Sequence, residues 1–538
     1  MARWLTGPRS VPYSVRSSRK EDDVNRREFL AASSSFGVAL PGSQITPAPA
    51  GAGALRAGFA ERDISPEIGM EMPGGYGKSY HKEFHDPCKV RAAVFDDGER
   101  RVALVGVDAL ELPRSLVEAA RAGVHTRCGI LRDHVLIGAS HSHSSGPVGM
   151  VEPGQFDHAS PLVRKLAYEQ SSMSDAAYAK RVEEQIEAAV VEAHQRRAES
   201  RAGFGSGFED KVAFNRRFRM KNGLTYTHPG KGNPDILAPA GPVDPEVGVI
   251  GVWDAANRLT GCIVNYCCHA TTNPGGISAN WIYYLERAIR GFFGEEVVVV
   301  FLQGFSGDVT QVNNLSLDQN PGAEEWAQLV GGRVGAEAVR TLLGMAPGTG
   351  RVDARSRVLE MRRRVPSPDR LRRCLEIVRK DPSEVGDTTW IFAKEIVLLD
   401  ALIARWPTVE VEVQAVQVGP VVCMAMPGEM FCQLGLDLRR ARLFPFTWPV
   451  ELANGSAGYI PTEEALGPGG GGYETRLTSY SNLEPAAGRR MVEAALELAR
   501  SLTPGQIPTP SKVAPFRSFP GGIGPAPWDY GNVPPELA

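Results

Sequence analysis

Residues Val297 to Leu302 are apolar without a break, and Gln303-Gly304-Phe305-Ser306-Gly307-Asp308 follows at once. A strand that is apolar on both faces has to be covered on both faces. It belongs in the middle of a layered protein, with a polar loop at its carboxyl end. The same grammar recurs along the chain. The short apolar run His134 to Gly138 leads into Ala139-Ser140-His141-Ser142-His143. Val247 to Trp253 and Gly261 to Cys267 pair across the turn Asp254 to Arg258, and the second of them delivers His269. Val409 to Val418 and Val421 to Met426 flank the Gly419-Pro420 turn and end in Pro427-Gly428-Glu429, which is expected to open a helix. Val90 to Phe95 and Arg101 to Val107, joined by Asp96-Asp97-Gly98-Glu99, carry a hairpin signal. Helical patterns cover 114–128, 174–197, 282–293, 324–343, 368–380 and 489–502. Strand, polar loop and helix in this order predict an α/β fold of mixed β-sheets with flanking helices, built as one large domain. Polar residues gather at the carboxyl ends of strands, where open α/β sheets place their sites. The sequence shows no internal repeat.

Composition narrows the class of function. The formal net charge is −3 over 538 residues. No basic block of the kind that tracks a phosphate backbone is present, which argues against a nucleic-acid partner. The eight cysteines include no C-x-x-C, so a cysteine zinc site is not expected, and one or two disulfides stay open without a pairing. At the N-terminus, Asn25-Arg26-Arg27-Glu28-Phe29-Leu30 precedes a mild apolar stretch, Ala31 to Leu40. This resembles a twin-arginine export signal. The stretch is too short and too serine-rich to span a bilayer. Ala48-Pro49-Ala50-Gly51-Ala52 offers small-residue cleavage sites. Residues 1–52 are therefore expected to be a leader and linker, 56–505 the folded domain, which the resemblance described below implies is catalytic, and 506–538 a Pro/Gly-rich tail. The mature protein is expected to be periplasmic or secreted, with no stable membrane span.

Few side chains are suited to chemistry. There are ten histidines, and His141 and His143 sit two apart just after a strand. In extended backbone such a pair points to one side, which suits a metal ligand beside an acid, base or oxyanion donor. Taken alone, His269 reads as a satisfied core residue sooner than a ligand, Glu429 by default as a helix-dipole partner, and Tyr459 as a packing residue. Asp308, after the central strand, is a candidate general base or a turn cap. No H-E-x-x-H, G-x-S-x-G or Walker loop occurs. The glycines from Gly467 to Gly472 read as a flexible loop rather than a nucleotide site.

Taken in order, these segments resemble the neutral (non-lysosomal) ceramidase family over roughly residues 56 to 505. The elements are Asp63-Ile64-Ser65-Pro66, Gly75-Tyr76-Gly77, His85-Asp86-Pro87, Ser140-His141-Ser142-His143-Ser144-Ser145-Gly146-Pro147, Asn215-Arg216, His269, Gly307-Asp308-Val309, Pro427-Gly428-Glu429, Tyr459 and Tyr473-Glu474. The resemblance implies one catalytic zinc held by His141, His269, Glu429 and Tyr459, a set of nitrogen and oxygen donors that suits that ion. It further implies that His143 contacts the developing tetrahedral oxygen, and that Arg216 and Tyr473 hold the substrate near its amide. The implied substrate is ceramide or another N-acylated small molecule.

The chain departs from the family pattern at four places. Ser145 is an extra serine before Gly146, Thr310 stands where the family has serine, Asn280-Trp281 replaces Asp-Trp, and glycines stretch the spacing from Tyr459 to Tyr473. A C-terminal immunoglobulin-like domain is not expected. Two other readings use the same residues: an exported zinc esterase or deacylase of a non-sphingolipid, and a catalytically silent metal-binding or ligand-binding relative. The oligomeric state is not legible from the sequence.

Overall fold

Successive residues of a strand face opposite sides of its sheet, and in the central strands of this protein both sides are buried. The structure is a computed structural model that describes residues 54–510. The expected leader, and all of the expected tail beyond residue 510, lie outside the described residues. The first sheet contains β1 (Arg56–Asp63), β2 (Lys89–Asp96), β3 (Arg101–Val107), β4 (Val135–Ala139) and β5 (Ala198–Glu199), in the order β4-β3-β2-β1-β5. Its outer face, with Val94, Val105 and Ile137, packs on α1 (Arg114–Cys128) and α2 (Ala176–Gln195). Its inner face, with Phe95, Leu104 and Leu136, enters a second core.

The second sheet has β6 (Arg201–Phe208), β7 (Glu246–Trp253), β8 (Leu259–Tyr266) and β9 (Val298–Gln303), in the order β9-β8-β7-β6. Here the unbroken apolar run shows its purpose. Val298, Val300 and Leu302 enter the inner core, whereas Val297, Val299 and Phe301 pack under α3 (Trp281–Phe293) and α4 (Ala323–Leu343).

The third sheet has β10 (Val352–Arg362), β11 (Thr408–Val418), β12 (Val421–Ala425) and β13 (Phe446–Val450), hydrogen-bonded in that order. Between β10 and β11 the chain inserts α5 (Pro368–Ile377) and α6 (Asp387–Arg405), which have their own small core around Trp390 and Leu398. On the outer face lie α7 (Cys432–Arg440) and α8 (Ala487–Arg500). All three sheets contribute to one shared inner core, with Phe59, Ile250 and Val416 from different sheets in the same cluster.

The topology repeats where the sequence does not. In each sheet an antiparallel hairpin is followed by a helix and then by a strand parallel to the hairpin's second strand. The sets are β2-β3-α1-β4, β7-β8-α3-β9 and β11-β12-α7-β13. The parallel partners run side by side and end together: His141 follows the crossover strand β4, whereas His269 and Glu429 follow the second hairpin strands β8 and β12.

One expectation is corrected and one open question is closed here. Glu429 does not open a helix. It lies in a two-residue strand with Met430, parallel to Tyr459-Ile460, and α7 begins only at Cys432. No disulfide forms: all eight cysteines are free and buried.

The first and second sheets approach very closely at Gly106. A Cβ built there would stand 2.3 Å from the carbonyl oxygen of Phe301. Gly106→Ala is therefore expected to lower unfolding stability by about 1–3 kcal/mol, as overpacking does, in a urea titration of the purified protein. An unchanged midpoint would show that the sheets have room to separate.

Candidate metal centre

The site assembles at the carboxyl ends of the repeated units. After β4 the backbone at His141 turns into the left-handed region, with φ of +62°. The two histidines are thus not brought together by an extended H-x-H segment, as the sequence pattern suggested. They converge because the turn is pinned on both sides: the backbone N–H of Ser142 donates to Ala109, that of His143 to Ala270, and the Ser142 hydroxyl to the Ser278 carbonyl. The outcome is still a meeting of rings, with Nε2 of His143 3.3 Å from Nε2 of His141.

His269 follows β8 and is wholly buried. Its Nδ1 donates to the carbonyl of Ser306 at 2.7 Å, and Nδ1 of His141 donates to the carbonyl of Leu110 at 2.9 Å. A carbonyl can only accept, so both rings carry their proton on Nδ1 and turn an Nε2 lone pair inward. Those two Nε2 atoms are 3.2 Å apart. Glu429 Oε2 is 3.1 Å from each of them and has no donor of its own, although it is buried. Its other oxygen, Oε1, accepts from the Tyr480 hydroxyl at 2.8 Å.

Electrostatics sharpen the picture. Burial pushes His269 down to about 3, with Arg216 and His141 adding to the effect. Burial and the same neighbouring imidazoles hold His143 well below the usual histidine range. At His141 burial also opposes charge, but Glu429 outweighs it and raises the pKa. Burial disfavours the Glu429 carboxylate, and His141 more than compensates, holding it well below the ordinary range. Two lone pairs and a carboxylate crowded together in a dry site call for positive charge between them. A metal cation meets that need, and histidine ligands that donate their other N–H to a carbonyl are the usual support for one. Among the described residues His143 lacks such a partner: its Nδ1 lies against Gly74, where a Cβ would come within 2.4 Å of it.

Tyr459 lies beside Glu429 across the short parallel ladder and stacks on His269, with ring centroids 6.5 Å apart. Its hydroxyl accepts from Arg216 Nη2 at 2.9 Å. Arg216 in turn donates to the Gly307 carbonyl at 2.8 Å and to Glu474 at 2.6 Å, and is almost fully buried. Tyr473 packs edge-on against Tyr459 and is 38% exposed, at the mouth of the site. Tyr76, Leu110, Met150, Tyr459, Tyr473 and Tyr480 line a small cavity of ≈ 30 Å³ over His141, His143 and Glu429.

Asp308 and Thr310 do not line that cavity. Asp308 accepts from the Asn215 amide at 2.8 Å and from the backbone of Cys432 at 2.9 Å, so it holds the loop and the start of α7. The Thr310 hydroxyl accepts from the backbone of Val312. Gly307 is required by space, since a Cβ there would lie 2.4 Å from the Glu429 carbonyl oxygen. Asn280 caps α3, and the indole of Trp281 donates to the His269 carbonyl at 3.1 Å. The glycine loop before Tyr473 packs against the 217–227 hairpin, where the Gly471 carbonyl accepts from Arg217. Tyr480 and the carbonyls of Leu110 and Ser306 had no sequence signal. Tyr480 belongs to no motif, and carbonyl partners are set by tertiary packing.

Three mixed sheets around one core, with a histidine–carboxylate cluster at their strand ends, define a mixed α/β protein with a candidate metal centre. Among solved structures the fold matches neutral ceramidase from Pseudomonas aeruginosa, with a TM-score of 0.63, 19% identity, and 85% of this chain and 76% of that chain covered. A ceramidase complexed with C2 matches with a TM-score of 0.62, 17% identity, and 85% and 77% covered. The fold is that of the neutral ceramidases, as the resemblance implied. No family model matches the sequence, and no curated protein matches it at the sequence level.

If a cation belongs between His141, His269 and Glu429, it will bind the folded chain and stabilise it. Zinc at about 100 times its Kd is expected to add about 2.7 kcal/mol, read as a rise in Tm that His269→Ala abolishes. The same Tm with zinc and with a chelator would contradict this.

Proposed function

We propose that this chain is a zinc-dependent amidohydrolase that cleaves the amide of an N-acylated lipid, ceramide or a close relative. The observation that carries the proposal is the cluster of His141, His269 and Glu429, backed by Tyr459 and Arg216, within a neutral ceramidase fold. Zinc suits a set of nitrogen and oxygen donors, and when bound it would polarise the scissile carbonyl and acidify a water. His141, His269, Glu429 and Tyr459 would hold it. Burial pushes the Tyr459 hydroxyl well above the usual tyrosine range, and the Arg216 guanidinium, donating to its oxygen, opposes that shift. His143 is left outside the ligand set because its ring has no carbonyl to fix it. It instead donates to the carbonyl oxygen as charge develops there. Tyr473 steadies the amide from the open side. Asp308 acts as a holding residue, because both of its oxygens are already engaged.

The walls favour an acyl chain. Aromatic rings and Met150 flank the cluster, and a neighbouring cavity that shares Tyr76, Met150 and Tyr480 continues past Val151, Phe156 and Leu402, with Glu395 and serines on its other walls. One observation favours a second reading, an esterase or deacylase of a polar substrate. A larger cavity of ≈ 380 Å³, which also borders Met150 and Tyr480, is lined by Glu111, Arg114, Glu152 and Arg363. No helix among the described residues is long and apolar enough to cross a membrane. The leader pattern at 25–40 supports export by the twin-arginine route.

Hydrolysis of short-chain and long-chain fluorescent ceramides by the mature protein tests the first reading. Fatty acid release is expected to stop with a chelator and in a folded His141→Ala variant. Turnover of acylated sugars or peptides, with ceramide untouched, would move the assignment to the second reading. Gly74→Ala separates the roles of the histidines. It should displace His143 and slow turnover about a hundredfold, as small misplacements do, while zinc content stays that of the wild type. Loss of zinc in that variant would place His143 among the ligands.

A further inference from the structure

Glu451 is a buried titratable group that the proposed chemistry does not use. It follows β13, is fully buried, and forms no ion pair among the described residues. A carboxyl placed there without a cation is costly, and burial pushes its pKa up to about 8. Its contacts show what the position gains. One oxygen accepts from the Ser306 hydroxyl at 2.6 Å. The other accepts from the backbone N–H of Met430, the residue after Glu429, at 2.8 Å. Its own backbone N–H donates to Gln303 at 3.0 Å, and the Gln303 amide donates to the Ser306 hydroxyl and to the Cys268 carbonyl. The Ser306 carbonyl is the acceptor that orients His269.

Resting on the zinc reading above, we infer that Glu451 is a positioning residue for the metal centre, whose single carboxyl group ties the loop that orients His269 to the strand that carries Glu429. The closed ring of bonds joins the ends of β8, β9 and β13 to the short strand at Glu429. A shift of either ligand would have to break one of its members. Partners of this kind typically change metal affinity ten- to hundredfold when removed.

The test uses the full mature chain and three variants: Glu451→Leu, Glu451→Gln and Ser306→Ala. Zinc affinity is measured by competition with a chromophoric chelator, and ligand geometry by the visible spectrum of the cobalt(II)-loaded protein. Glu451→Leu is expected to bind zinc about ten- to hundredfold more weakly and to shift the cobalt bands, while Glu451→Gln, whose one amide oxygen can still accept from Met430 and whose NH2 can donate to a rotated Ser306 hydroxyl, stays within about threefold of wild type. A leucine variant that loses thermal stability but keeps wild-type zinc affinity and cobalt spectrum would overturn the inference and leave Glu451 a packing group. If the leucine variant does not fold, Ser306→Ala decides: about tenfold weaker zinc binding supports the role, and unchanged binding overturns it. A wild-type chain that binds no zinc would overturn the metal reading itself, an outcome distinct from wild-type binding with unaffected variants.

Discussion

Nε2 of His141, Nε2 of His269 and Oε2 of Glu429 stand 3.1 to 3.2 Å from one another in a buried site. Without a proton or a cation between them these three electron-rich atoms would repel, and more strongly away from water. The fold nevertheless holds them there. Each imidazole is locked by a carbonyl acceptor, from Leu110 or Ser306, and the carboxylate is locked by Tyr480. Such investment in crowding makes sense around a cation, and Arg216, Tyr459 and Glu474 continue the same logic outward.

The repeated topology explains how residues so far apart in sequence meet. Each β-β-α-β unit ends two neighbouring strands on the same side of the molecule. The first unit supplies His141 and the Leu110 carbonyl, the second His269 and the Ser306 carbonyl, and the third Glu429 and Glu451. The shared inner core fixes the three sheets against each other, so side chains on different units are placed by sheet packing rather than by loops alone. That is the rigidity a preformed site needs.

The sequence reading worked where local pattern and burial agree. The run at 297–302 had to be a central strand because every residue was apolar, and the hairpin at 90–107 and the helix at 114–128 carried their own periodicity. It failed where tertiary packing overrides local signal. The helix Asp387–Arg405 went unread because buried residues surround much of its circumference, leaving little amphipathic contrast. Glu429 read as a helix start because Pro and Gly precede it, whereas its pairing with Tyr459 is a long-range ladder. The residue types that gather here were legible: His141, His143, Glu429 and Tyr459 line one cavity, and His269 packs against His141 and Tyr459. The left-handed turn at His141, the hydrogen bond from Tyr480 and the Glu451 ring were not, because each depends on partners more than twenty residues away.

The most direct measurement is crystallographic. Diffraction data from zinc-loaded crystals, collected on both sides of the zinc absorption edge, locate the ion without assuming any chemistry. The expected result is one anomalous peak between His141, His269 and Glu429. No peak there, or a peak only at surface residues, would contradict the assignment of this cluster as the metal centre.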